Sequence, residues 1–282
     1  MEVVGYSANQ VGDALMDSKF NIVLTPFTHV DGTETGLKMS EITPNQSFDF
    51  GSYMAVGFQP ASDTVQIFDA NGQVDKMLSY VSKDVLENQF YDYSSASGWY
   101  DATAIMSWDF STPMGETSVN FGEGYVVKAG AGAGTVPTLT FSGAVKQDVT
   151  EIPGKPFMFA GNSSPVDIKA KQIKTNQTFD FGIYMATGFQ PASDTLQIFD
   201  TNGNLSYMLS YVSKDVLENQ FYDYSSAPGW YDATAIMSWD FTTPMGDIDI
   251  PAGSAFVLKC GDGAGVLPTI TIPNPLAQKD AE

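Results

Sequence analysis

The chain contains no arginine, one cysteine and one histidine, and charged residues make up only 16% of it. Each scarcity excludes something. Without the rigid, bidentate guanidinium fork the chain is poorly equipped for phosphate and nucleic-acid recognition. The 33 acidic residues against 13 lysines give a formal charge of -20, a field that repels a polyphosphate backbone. Nucleic acid is therefore not an expected partner. A lone Cys260 cannot form an intrachain disulfide, and its repeat counterpart is Ala129, which suggests a small packed side chain rather than a reactive thiol. His29, in PFTHVDG, has no His or Cys partner for a zinc site, and a His-based hydrolytic triad has only this one residue to draw on. No apolar run approaches the roughly 18 residues of a membrane helix, so membrane insertion is not expected. The N-terminal MEVVGYSANQ has neither a basic n-region nor an apolar h-region, so no signal peptide is expected in it.

What is present is a folded composition, 43% hydrophobic and 13% aromatic, with an acidic, Gly/Ser/Thr/Asn-rich flavour that suggests an extracellular setting. It is also repeated. The stretch MLSYVSKDVLENQFYDYSSASGWYDATAIMSWDF begins at Met77 and again at Met208 with a single change, Ser97 to Pro228. A constant offset of 131 pairs Asp69 with Asp200, Trp99 with Trp230 and Pro137 with Pro268. Upstream, NIVLTPFTHVD lies over FMFAGNSSPVD if the first copy carries an extra GTETG before Leu37. Such a period is too long for a solenoid, so the chain reads as two tandem homologous domains, residues 1–145 and 146–282.

Within each copy the signals are those of strands. DTVQIFD alternates apolar and polar residues, then meets Asn71-Gly72 (Asn202-Gly203 in the second copy), the signature of a two-residue type I′ hairpin. KFNIVLTPF, FDFGSYMAVGF, TAIMSWDF, GYVVKA and VPTLTFSGAV read likewise, separated by clusters such as QPASD and TPMGE. Only SKDVLENQF reads as a helix, of about two turns, with Ser82 as its cap. About seven to nine short strands per copy predict an all-β chain of two β-sandwich, jelly-roll-like domains.

The candidate contact residues are the aromatics of the repeated block: Tyr91, Tyr93, Trp99 and Tyr100, and again Tyr222, Tyr224, Trp230 and Tyr231. Aromatic faces beside Asp and Ser can stack on sugar rings, or form an interface with a wet edge. Trp108 and Trp239 read as core. Paired acids such as Asp92 and Asp101 carry no weight as a glycosidase dyad, since pairs arise by chance at this acidity. FDANGQVD (Asp69, Asn71, Asp75) has a calcium-loop look, but it lies between strands and lacks the bidentate Glu, so a hairpin is preferred. Structural calcium held elsewhere stays open, with no ligand set to name. The glycine-rich AGAGAGT at 129–135 lacks a lysine and a following helix, so it is no P-loop. Asn-x-Ser/Thr sequons at Asn45, Asn162, Asn176 and Asn204 permit glycosylation.

The per-copy order is a TPF-like strand (AGN in the second copy), an FDxNG hairpin, a GWYD segment and a final GxxFVLK strand. In this order, and in its acidic, Arg-free composition, the chain resembles secreted bacterial β-sandwich surface proteins of the S-layer and extracellular fibre-subunit kind. The resemblance carries no functional residue over. The upstream and C-terminal segments have drifted while the block has not, and no catalytic set lies in the block. These features point to a non-enzymatic cell-surface protein that assembles with itself into a filament, tube or layer. VVGYS and TITIPNPLAQ are candidates for strand addition at its edges. The alternative is a tandem carbohydrate-binding or adhesive module using the repeated aromatics.

Overall fold

The computed structural model describes residues 20–24, 36–55, 64–69, 71–120, 122–128, 139–141, 150–153, 156–164, 166–186, 195–199, 204–259 and 269–273. Among them short antiparallel strands dominate and the helices are few and brief. The chain divides into two compact units, residues 1–69 with 73–146, and residues 70–72 with 147–282.

The strands of unit 1 are β1 (Phe20–Leu24), β2 (Gly36–Lys38), β3 (Ile42–Pro44), β4 (Thr64–Phe68), β5 (Val74–Val81), β6 (Gly98–Asp101), β7 (Ser118–Asn120), β8 (Gly124–Lys128) and β9 (Leu139–Phe141). Five of them form one sheet in the order β1-β8-β4-β5-β6, while β2-β7 and β3-β9 form two-stranded ladders. Successive side chains of a strand face opposite ways, and here both faces are used. Val65, Leu78, Trp99 and Val127 pack with Leu37, Ile42, Val119 and Phe141 of the ladders in one core. On the other face Val81 and Tyr100 pack with residues of three short helices, α1 (Phe50–Ala55), α2 (Lys83–Gln89) and α3 (Ala102–Met106). Each fully buried Leu or Val removes apolar surface worth about 1.5–3 kcal/mol. The indole N–H of Trp99 donates to the Ile42 carbonyl at 2.9 Å, tying sheet to ladder.

Unit 2 has β10 (Thr150–Pro153), β11 (Phe157–Gly161), β12 (Ile168–Lys169), β13 (Lys174–Thr175), β14 (Thr195–Phe199), β15 (Leu205–Val212), β16 (Gly229–Asp232), β17 (Asp249–Ile250), β18 (Ala255–Lys259) and β19 (Thr269–Ile272), with helices α4 (Phe181–Ala186), α5 (Lys214–Asn219) and α6 (Ala233–Met237). Its five-stranded sheet runs β11-β18-β14-β15-β16, beside a β12-β17 ladder and a three-stranded β10-β19-β13 sheet. The tie recurs as Trp230 Nε1 to the Ile173 carbonyl, at 3.1 Å.

Several expectations are corrected. FDFGSYMAVGF holds a helix, because Asp49 caps it: Oδ1 accepts the Ser52 N–H at 2.6 Å, and Gln89 Oε1 accepts the Phe50 N–H at 2.7 Å. TAIMSWDF likewise begins with α3, because Asp101 ends the preceding strand and caps the helix with its carboxylate. The Asn71-Gly72 hairpin has three residues, not two, between its closing pair. The Asp69 N–H donates to the Gln73 carbonyl at 2.8 Å, and Gly72 has φ +78°, the three-residue loop whose last position is left-handed. Phe20 pairs with Lys128, and Phe157 pairs with Lys259. FNIVL therefore lies over FMFAG, one residue away from the alignment made on sequence, and such a slip exchanges the two faces of a strand. TITI is paired on both sides, by β10 and β13, so it offers no free edge; VVGYS lies outside the described residues. The helix expected at SKDVLENQF is present, and the Ser82 hydroxyl accepts the Val85 N–H at 3.3 Å.

Tyr125 on β8 is fully buried, and its hydroxyl has no hydrogen-bond partner among the described residues. Burial pushes that phenol well above its usual range. The equivalent position of unit 2 holds Phe256, also buried. Tyr125→Phe is therefore expected to be neutral or to stabilise by about 1 kcal/mol, since it removes an unsatisfied buried group. The unfolded phenol ionises first, so wild-type stability falls as pH rises past roughly 10. Denaturant melts at pH 7 and 10.5 are expected to show a larger advantage for the variant at the higher pH.

Candidate functional site

The repeated block runs from β5 through α2 and β6 to α3 in unit 1, and from β15 through α5 and β16 to α6 in unit 2. In unit 1, α2 starts at Ser82, whose own N–H is held by Ser47 Oγ at 2.8 Å. The helix closes on buried Phe90, whose N–H reaches the Val85 carbonyl at 3.3 Å, and the Asp92 N–H reaches the Leu86 carbonyl at 2.8 Å. Between these two residues the chain reverses through Tyr91, at φ +56°. The following loop is clamped. Asp92 Oδ1 accepts the Ser94 N–H and hydroxyl, both at 2.8 Å, and the Ser95 N–H at 3.0 Å. Lys83 Nζ donates to the carbonyls of Tyr93 and Ser95, both at 2.9 Å. Tyr91 and Tyr93 stand out from this rigid loop, 73% and 70% exposed.

Helix α3 ends in a second left-handed residue, Trp108 at φ +59°. Its N–H reaches the Ile105 carbonyl at 3.0 Å, and the Asp109 N–H reaches the Ala104 carbonyl at 2.9 Å, which is the Schellman arrangement normally completed by glycine. The Trp108 ring packs edge-on against Phe90 and Phe50, at centroid distances of 5.2 and 5.8 Å, and stays 50% exposed. Holding a side-chain-bearing residue left-handed costs about 1–2 kcal/mol. Unit 2 repeats the pattern: Tyr222 at φ +55°, Trp239 at φ +59°, with Tyr222, Tyr224 and Trp239 exposed to 72%, 69% and 50%.

The eight aromatics named from sequence thus separate. Tyr91, Tyr93, Tyr222 and Tyr224 are on the surface. Trp99, Tyr100, Trp230 and Tyr231 are buried, which corrects their reading as contact residues. Strand β6 is covered on both faces, so Trp99 enters the ladder-side core and Tyr100 the helix-side core. The Tyr100 hydroxyl donates to the Ala96 carbonyl at 2.6 Å, and Tyr231 matches it at Ala227. Conversely, Trp108 and Trp239, read as core on the assumption of a strand, are half-exposed because a helix end turns them outward. No spacing signal in the sequence could have found them; only the helix caps at Asp101 and Asp232 hint that the strand stops there.

The carboxylates of the block are acceptors in turns and caps. Asp101 Oδ1 accepts the Thr103 N–H at 2.8 Å and the Thr103 hydroxyl. Hydrogen bonds from Ser95 and Ser94 hold Asp92 below the usual carboxylate range, and Ser226 and Ser225 do the same for Asp223. Donation from Ser111 lowers Asp109, and the Ser52 N–H with the Gln89 amide lowers Asp49. Burial, with the nearby Asp92 charge, raises Tyr100. Asp49, Asp92, Asp109 and Asp223 are thus shifted away from the raised range that a general acid requires.

Two shallow crevices lie at equivalent positions, one beside Pro44, Tyr80 and Trp99 and the other beside Thr175, Tyr211 and Trp230. Each has room for about one water molecule. Asp69 Oδ1 is taken up by the Gln73 N–H at 2.8 Å, and among the described residues no three His, Cys, Asp or Glu side chains converge as metal ligands. The Asn162 sequon is corrected. Its side chain is fully buried, and Nδ2 donates to the carbonyls of Val166, Ile250 and Pro251, so a glycan cannot be attached in the folded unit. Asn45, Asn176 and Asn204 are exposed. His29, Cys260, Asn202, Gly203 and residues 129–135 lie outside the described residues. No helix among the described residues is long and apolar enough to cross a membrane. The chain matches no protein-family model, no curated protein and no solved structure.

Two outcomes are expected. Trp99→Ala removes a buried indole and strands the Ile42 carbonyl, at a cost of about 3–5 kcal/mol in denaturant unfolding. The pair Asp92→Asn and Asp223→Asn tests the acid limb. A depressed folded pKa stabilises above the unfolded value of about 3.9, and that stability is lost as pH falls through the lower folded value. Melting temperatures of wild type and the double variant are expected to differ most near neutrality and to converge as pH falls below 4.

Proposed function

We propose that this is a non-enzymatic extracellular structural protein, two tandem homologous β-sandwich domains of jelly-roll type whose copies associate into a filament, tube or surface layer. The observation that carries this reading is on β15. Its core-facing row runs through buried Leu209, yet Tyr207, two residues earlier on the same face, is 37% exposed; beyond a bulge, Leu205 opposite Phe199 at the strand's start is 48% exposed. An apolar strand end that outruns its own core is a surface for another strand or sheet to cover. The equivalent of Tyr207 in unit 1 is Lys76, so the two units differ at this point. A contact between unlike surfaces propagates when its rotation does not close. The acidity keeps a finished assembly hydrated and away from nucleic acid.

Negative-stain electron microscopy with light scattering, with calcium and again with chelator, tests the proposal. The wild type is expected to form regular assemblies. Leu205→Lys with Tyr207→Lys, which copies at 207 the residue the other unit already carries, is expected to raise the concentration needed for assembly at least tenfold, consistent with about 1.5–3 kcal/mol per apolar side chain covered. Its melting temperature is expected to stay near wild type. A monomer under every condition would sink the proposal.

A further inference from the structure

Each unit holds an exposed tyrosine in a strained backbone conformation that packing does not explain. Trp108 at least rests on Phe90 and Phe50; Tyr91 is 73% exposed and Tyr222 is 72% exposed. Glycine would hold the left-handed turn with less strain. Strain kept at a surface position, twice at the same place, points to what the side chain does outside its own fold.

We propose that Tyr91, Tyr93 and Trp108, and again Tyr222, Tyr224 and Trp239, are two platforms for a neutral, pyranose-based polysaccharide. The ligand class follows from what the loop leaves available. The Lys83 ammonium is engaged by two carbonyls and Glu87, and the Asp92 carboxylate by the Ser94 and Ser95 donors. Neither charge is left to select an ion, and the formal charge of -20 disfavours an acidic partner. Tyr91 and Tyr93 present their rings and phenol hydroxyls to solvent, and half-exposed Trp108 packs on Phe90, the residue before Tyr91. A pyranose ring matches that, with C–H groups on its face and hydroxyls at its rim. The ring-bearing loop is locked in advance by its own hydrogen bonds, so little ordering remains to oppose binding. Tyr91, Tyr93 and Trp108 stand on the surface rather than lining either described crevice, so the ligand lies across them as a chain. Two like platforms on one polypeptide suit a repeating ligand, because the second contact forms within the complex. This inference does not rest on self-association.

The test uses the full chain in native gels containing hydroxyethyl cellulose, with carboxymethyl cellulose as the charged counterpart, and in sedimentation with microcrystalline cellulose and chitin. Retention is expected on at least one neutral probe and to be weaker on the carboxymethylated one. Tyr91→Gly is expected to weaken retention at least tenfold, and Tyr91→Gly with Tyr222→Gly to abolish it, with the melting temperature unchanged or higher because glycine relieves the turn. A merely structural tyrosine would instead lower the melting temperature. No retention on any of the three neutral probes, or retention unaltered by the double variant, would overturn the proposal. So would a double variant that still binds but no longer assembles under the microscope, since the rings would then belong to a contact between copies.

Discussion

One indole hydrogen bond in each unit governs where the rest of the repeated block goes. Trp99 on β6 reaches the Ile42 carbonyl, and Trp230 on β16 reaches that of Ile173. With that ring pinned into the ladder-side core, strand alternation drives Tyr100 or Tyr231 into the helix-side core, where each hydroxyl finds a carbonyl. The next residue, Asp101 or Asp232, is then at the strand's end with its carboxylate free to start a helix. That helix is short, and its left-handed exit turns Trp108 or Trp239 outward. Interior and surface aromatics are consecutive consequences of one anchored side chain.

The acidity has a structural use beyond solubility. Asp49, Asp69, Asp92, Asp101 and Asp109 each accept main-chain N–H groups at a helix start or a turn. Such charge-assisted bonds let short helices and tight loops hold their geometry where few residues are available to pack. The loop after α2 shows the result: Lys83, from the helix's own first turn, clamps it from one side and Asp92 from the other. Exposed tyrosines on such a loop are displayed on a firm support.

The near-identity of the block in both copies has a matching physical account. Its buried side chains on two faces, its caps and its clamps each constrain their positions, but exposed residues such as Asn88, Ala96 and Met106 recur with them. Ser97 and Pro228, the one difference, lie in the turn just before β6 and β16. Tyr91 and Tyr93 are among the exposed residues that recur without a packing demand.

The sequence by itself determined the repeat, the antiparallel strand content, the hairpin site at Asn71-Gly72 and the Ser82-capped helix, because these rest on local period and local turn chemistry. It also bounded the partners, since the absence of arginine and the excess of acid are properties of composition. Tertiary structure alone decided which aromatics are buried. Trp99 and Tyr100 look as exposed in GWYD as Tyr91 and Tyr93 do in FYDY, and only the coverage of β6 on both faces separates them. It also decided that Asn162 is a buried hub and that β19 is an inner strand, both of which depend on partners tens of residues away. The start of α1 needed Gln89, 39 positions downstream, to satisfy the Phe50 N–H. Local pattern cannot report a contact whose other half lies elsewhere in the chain, and the surface of this protein is defined by such contacts.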